Sequence, residues 1–294
     1  MKKCILIAMT ALLVSCSDHQ LLDDVSDVKT TEPVEISDVN DKAKVDALVE
    51  KARWGEGQAF LQLADCYRDG VGVKKDFLGM TYMVLQADAL GAIESKKEYF
   101  SRIPDDNVYK QCFAFADMDG SKLRSAKDSI MAILNATDSP DALAIHGIVS
   151  VECGDTIGGV EAIRKAADGG SNFATILLTM QNNGGDLRPD KNKLEKIADK
   201  NPVVCKMLGR IYRDFEEDND INKRQAAHYY LEAEKHALLS RREAIWLLSY
   251  YRNGGDIQLS DEDVWRLEAF SRIPDEENEI IVADTISVDS IDNQ

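Results

Sequence analysis

Residues 59–92, AFLQLADCYRDGVGVKKDFLGMTYMVLQADALGA, read as two helices joined by a glycine turn. Leu63, Ala64, Tyr67 and Gly70 fall at i, i+1, i+4 and i+7, which lays an apolar and small-residue stripe along one side of a first helix. Gly70-Val71-Gly72 supplies residues that enter positive φ without strain, so the helix stops there. The chain restarts at Asp76, a suitable N-cap. Leu78, Tyr82, Leu85 and Ala89 then form a second stripe before Gly91. A hairpin of this size cannot bury both faces alone and needs neighbours of its own kind.

Those neighbours are found in the register of Leu63 to Gly70. The windows Phe113 to Gly120, Gly147 to Gly154, Leu177 to Gly184, Leu208 to Phe215 and Leu247 to Gly254 take the same seven-residue step. Their starts lie 50, 34, 30, 31 and 39 residues apart, an irregular period near the length of one helix pair. The pattern A-x-x-L-[GAL]-x-x-Y-x-x-G, carried by Ala244, Leu247, Leu248, Tyr251 and Gly254, resembles the first helix of Sel1-like repeats. These are relatives of the tetratricopeptide repeats. Ile163-Arg-Lys-Ala-Ala-Asp-Gly169 and Tyr230-Leu-Glu-Ala233 resemble the second helix. The copies beginning at Leu63 and Leu208 are close to the pattern and those at Phe113 and Gly147 are degraded. The resemblance spans about 44–274. It implies an all-α protein, a right-handed α/α solenoid of about six antiparallel helix pairs. In that family the first helices line a concave face that holds other proteins.

The amino terminus reads as a targeting segment. Lys2 and Lys3 precede an apolar run from Cys4 to Leu12, and Leu13-Val14-Ser15-Cys16 resembles a bacterial lipobox. The apolar run falls well short of the roughly 20 residues that span a bilayer. The expected layout is therefore a signal peptide over 1–15, lipidation at Cys16 with an acidic flexible tether over 16–41, the repeat array over 42–275, and an acidic, disordered tail over 276–294. This places the protein in the bacterial cell envelope, lipid-anchored and extracytoplasmic, either periplasmic or surface-exposed.

With 35 basic and 52 acidic residues the formal charge is −17, and loss of Lys2 and Lys3 makes it −19. Nucleic acid is excluded as a partner class, because phosphate contacts need clustered Lys and Arg. Of the six cysteines, Cys66, Cys112, Cys153 and Cys205 remain in the array. They read as small buried apolar side chains, with a bridge such as Cys66 to Cys112 as the alternative.

No catalytic constellation stands out, and no metal or cofactor is expected. His228, Glu232 and His236 share one side of a helix, but the histidines are eight residues, about 12 Å, apart along the axis. The glycine pairs 169–170, 184–185 and 254–255 lack the strand and Gly-Lys-Ser/Thr ending of a phosphate loop. The expected function is a non-catalytic scaffold or adaptor that holds a protein or peptide. A binder of glycan or envelope polymer is the alternative, and an envelope hydrolase stands behind both. The residues expected to line the binding face are Asp65, Arg68, Arg210, Arg213, Trp246 and Arg252, a mixed-charge patch with an aromatic anchor. The competing expectation is that Trp246 packs on the neighbouring unit while the arginines pair with local carboxylates.

Overall fold

The structure is a computed structural model that describes residues 39–116, 118, 120–183 and 186–272. The signal segment, Cys16, nearly all of the tether and the tail therefore lie outside the described residues.

The chain is built of helices packed against their neighbours, together with one short β-ribbon. In order they are α1 (Val39–Arg53), α2 (Gly57–Asp69), α3 (Phe77–Ala89), α4 (Lys96–Ser101), α5 (Val108–Ala116), α6 (Gly120–Ser125), α7 (Lys127–Asn135), α8 (Pro140–Glu152), α9 (Thr156–Asp168) and α10 (Asn172–Leu177). Strands β1 (Met180–Asn183) and β2 (Asp186–Pro189) pair antiparallel, with Met180 opposite Pro189. The chain continues with α11 (Lys191–Glu195), a 3₁₀ turn (Ala198–Lys200), α12 (Pro202–Asp214), α13 (Asp220–Glu234), α14 (Arg241–Arg252) and α15 (Asp261–Ser271). The first of these helices begins at Val39, inside the stretch read as tether. No helix among the described residues is long and apolar enough to cross a membrane.

Residues 59–92 form the two helices and glycine turn as read, but Leu78, Tyr82, Leu85 and Ala89 are only half-buried, and α3 buries Met80, Met83, Val84 and Ala87 instead, since it packs on both sides. Gly70 adopts φ +76° and closes α2, and Gly72 at φ +68° sits so close to α1 that a Cβ would lie 2.3 Å from the Asp41 carbonyl oxygen. The Asp76 side chain caps α3 by accepting from the backbone N–H groups of Leu78 and Gly79. The windows at Gly147, Leu208 and Leu247 also lie on helices, with Gly154 and Gly254 at positive φ behind two of them. Two windows differ. Gly120 begins a helix instead of ending one. The window from Leu177 leaves α10 at once and enters β1, because α10 stops after six residues.

Consecutive helices α2/α3, α8/α9, α12/α13 and α14/α15 pack closely as pairs. Small residues set the approach. Gly147 and Gly159 face each other so tightly that a Cβ on either would lie 2.6 Å from the other's carbonyl oxygen. A Cβ on Gly209 would lie 2.5 Å from the Tyr230 ring. The core is continuous from Val45 to Phe270, so the pairs share one apolar interior.

Contacts also join elements far apart in sequence. The Tyr82 hydroxyl on α3 donates to the Leu238 carbonyl and Gln86 donates to Leu239, in the turn between α13 and α14. Arg53 at the end of α1 makes a two-pronged contact with Glu234 on α13, at 2.9 and 2.7 Å, across 181 residues. An open stack in which each unit touches only the next does not produce such contacts. Here the first unit touches both the middle and the last part of the chain.

Candidate functional site

Three of the six residues expected on the binding face gather on α12 and α14. Arg213 lies over the Tyr230 ring, 5.7 Å from its centroid, and holds Asp214 through two bonds of 2.5 and 2.6 Å. Burial works against the Arg213 charge, but the bonded Asp214 carboxylate, with the Tyr230 hydroxyl and Glu243 nearby, more than offsets it, so its pKa is raised. Trp246 meets Tyr230 edge-on at 5.6 Å and stacks on Tyr250 at 5.5 Å. Arg210, one turn before Arg213, is half-buried and close enough to act electrostatically on the hydroxyls of Tyr82 and Tyr230. Among the described residues it has no carboxylate within ion-pair distance.

The other three residues are engaged elsewhere. Arg68 pairs with Asp65 and Asp69, each at 2.6 Å, and Asp65 accepts from the Tyr99 hydroxyl of α4 at 3.0 Å. Arg252 turns to Glu268 on α15, which also receives Arg272. The competing expectation thus holds for Arg68, Arg213 and Arg252, whose charges have local partners, and for Trp246, which rests against Tyr230 of the preceding pair. Arg210 departs from it.

Sequence reasoning missed the polar clusters beneath this face. Lys206, one turn before Arg210, pairs with Glu243 at 3.0 Å and donates to the Tyr82 hydroxyl and to the Leu238 carbonyl. Glu243 is 3% exposed and also closes a capping box with Ser240. Ser240 and Glu243 are legible as an S-x-x-E helix start. The role of Lys206 is not, because its partners come from α3 and α14. The phenol of Tyr82 is pushed well above its usual range by burial and by Glu243. Side chains of α3 thereby cover the first turns of α12 and α14.

A second cluster joins the starts of three helices. Asp76 accepts from Asn172, and Asp141 accepts from the Phe77 N–H and the Ser171 hydroxyl. Both carboxylates are buried, and desolvation with the neighbouring Asp141 raises Asp76 to about 6. Helix N-termini and neutral donors supply what compensation there is.

Among the described residues no three His, Cys, Asp or Glu side chains stand together as a metal-binding group. His236 lies beyond the end of α13, and Glu232 pairs with Lys235 at 2.6 Å. Cys66, Cys112, Cys153 and Cys205 are free thiols, all but Cys153 buried. Desolvation raises the Cys205 thiol to about 11, which holds it in the unreactive protonated form. Comparison with known proteins finds no family model, no curated protein and no solved structure that matches the chain.

Proposed function

We propose that this chain is a lipid-anchored, extracytoplasmic scaffold that holds another protein or peptide and does no chemistry of its own. In this reading the helix pairs are Sel1-like repeats that curl as a right-handed superhelix, tightly enough for the first unit to meet the last. The signal segment over 1–15 and the lipidated Cys16 tether the array to the envelope. The observation that carries the proposal is the convergence of Arg213 and Trp246 with Tyr230 and Tyr250 on neighbouring pairs. Stacked aromatics beside a guanidinium, with half-buried Arg210 one turn before it and no carboxylate within ion-pair distance of Arg210 among the described residues, are the chemistry of an interface anchor.

The test is capture of partners from detergent-solubilised envelopes by the full chain with its Cys16 anchor. Wild type is compared with a variant carrying Arg210→Glu and Trp246→Ala. Loss of specific partners in a variant that keeps its helical circular dichroism and melting temperature supports the reading. Capture that is unchanged by both substitutions sinks it.

A further inference from the structure

Residues 98–105 and 268–275 read EYFSRIPD and EAFSRIPD, and they differ at one position, Tyr99 against Ala269. As far as Arg272 the second copy folds like the first. Ser101 donates to the Glu98 carbonyl at 2.7 Å and Ser271 to the Glu268 carbonyl at 2.9 Å, and Arg102 and Arg272 each reach back one turn to the carboxylate of that glutamate. The arginine that closes each helix keeps a right-handed helical backbone, at φ −81° and −89°. Two like helix ends therefore bury Phe100 and Phe270 to the same degree, each 5% exposed.

What meets the two rings differs. Phe113 of α5 stacks on Phe100 with centroids 3.8 Å apart, and Lys96 lies over the Phe113 ring at 5.5 Å. Among the described residues no aromatic ring stacks on Phe270. Phe270 instead borders a cleft at the seam of α1, α2, α13 and α15, whose apolar lining includes Ala52, Phe60, Leu239 and Leu267. The bonded pair Arg53 and Glu234 forms a polar wall. Arg266 stands four residues before Phe270, as Lys96 stands before Phe100, and it bonds Glu234. The second copy thus keeps the buried ring and the cation but has no counterpart of Phe113.

The cleft holds about 240 Å³ of empty space, its solvent-open mouth included. Sites for drug-sized molecules take roughly 300–1,000 Å³, so this one suits a single side chain. An apolar ring seated there leaves water for apolar walls, and a guanidinium beside its face adds a cation–π attraction. The chain's own tail does not supply the ring, since residues 273–294 contain no Phe, Tyr or Trp.

We propose that this seam cleft is a seat for one aromatic side chain of a partner polypeptide, which takes at Phe270 the place that Phe113 takes at Phe100. The seat uses none of the residues of the Arg213–Trp246 face, so it stands whether or not that face holds a partner. Ala52 and Arg53 come from α1 and Leu267 and Phe270 from α15, so one occupant touches the first helix and the last.

The experiment is an amide NMR titration of the full detergent-solubilised chain with N-acetyl-phenylalaninamide, with N-acetyl-alaninamide as control. The phenylalanine probe should shift the amide signals of Phe60, Leu239 and Phe270 along saturable curves in the millimolar range, the affinity of about one side chain, and bind at least fivefold tighter than the control. Leu267→Phe fills the cleft from within and should weaken the probe at least tenfold. Equal responses to the two probes, or shifts that do not saturate, overturn the proposal, and both are read on wild type. So does unchanged binding in a Leu267→Phe chain that keeps its melting temperature. Sedimentation of wild type without probe separates the remaining occupant: a monomer supports a foreign partner, whereas a dimer that the probe dissociates gives the seat to a second copy and overturns it.

Discussion

Two buried junctions tie the first unit to the rest of the molecule, and they handle negative charge in opposite ways. At one, Glu234 on α13 receives Arg53 from α1 and Arg266 from α15, at 2.7 and 3.0 Å. Arg266 is 3% exposed and also pairs with Asp263, so charge is balanced by charge. At the other, Asp76 and Asp141 meet Asn172, Ser171 and the N–H groups that open α3. There the balance is made by dipoles and neutral donors, and it is incomplete, as the raised Asp76 carboxyl records. The lesson is that a buried ion pair resists pH but not loss of a member, whereas a buried pair of like charges resists substitution but not pH.

The largest expected effect comes from breaking the balanced junction. Glu234→Ala leaves two guanidinium groups buried without their carboxylate. It should lower unfolding stability by about 3–5 kcal/mol in a urea titration. A loss under 1 kcal/mol would mean that Asp263 and Glu50 suffice for both arginines. Next comes the unbalanced junction. The folded-state pKa of Asp76 is about 6, above the roughly 3.9 of an unfolded aspartate. The folded chain therefore binds the extra proton, and this stabilisation is full below about pH 4 and lost as pH rises through about 6. Asp76→Asn keeps the cap and removes the titration. Relative to wild type it should gain about 2–3 kcal/mol between pH 4 and pH 7, read from melts at both values. A wild-type profile flat over that window would contradict the assignment.

A smaller change sharpens the same junction. Ser171→Ala removes both a donor to Asp141 and the cap of α10, and should cost about 1–2 kcal/mol in a urea titration. The smallest effect is expected at the exposed Lys42–Asp46 pair on α1, whose side chains are 60% and 63% exposed. Asp46→Asn there should shift stability by less than about 0.5 kcal/mol, which calibrates the buried cases against a solvated one.

Much of the fold was legible because its signals are local. Asp76 announces its cap, Gly70 and Gly72 their turn, and the stripes on α2, α12 and α14 their buried faces. The windows at Phe113 and Leu177 misled for a physical reason. A seven-residue apolar step followed by glycine is also made by a short helix running into a second helix or a ribbon, as at Gly120 and β1. The candidate site was half legible. Arg213 and Trp246 come from two register columns of the first helices and both meet Tyr230, because adjacent columns follow one helix face. Asp65, Arg68 and Arg252 share the register but form ion pairs with residues one to sixteen positions away, which periodicity does not weigh.

The sequence by itself determined the helix pairs, their glycine turns and the acidic surface, since each depends on residues within a turn or two of one another. Only the tertiary structure decided that α1 and α3 lie against α12 to α15, and that Glu234, Glu243, Asp76 and Asp141 become buried. Burial sets the cost of a charge, and burial depends on partners 30 to 181 residues away. No local pattern records a separation of that length.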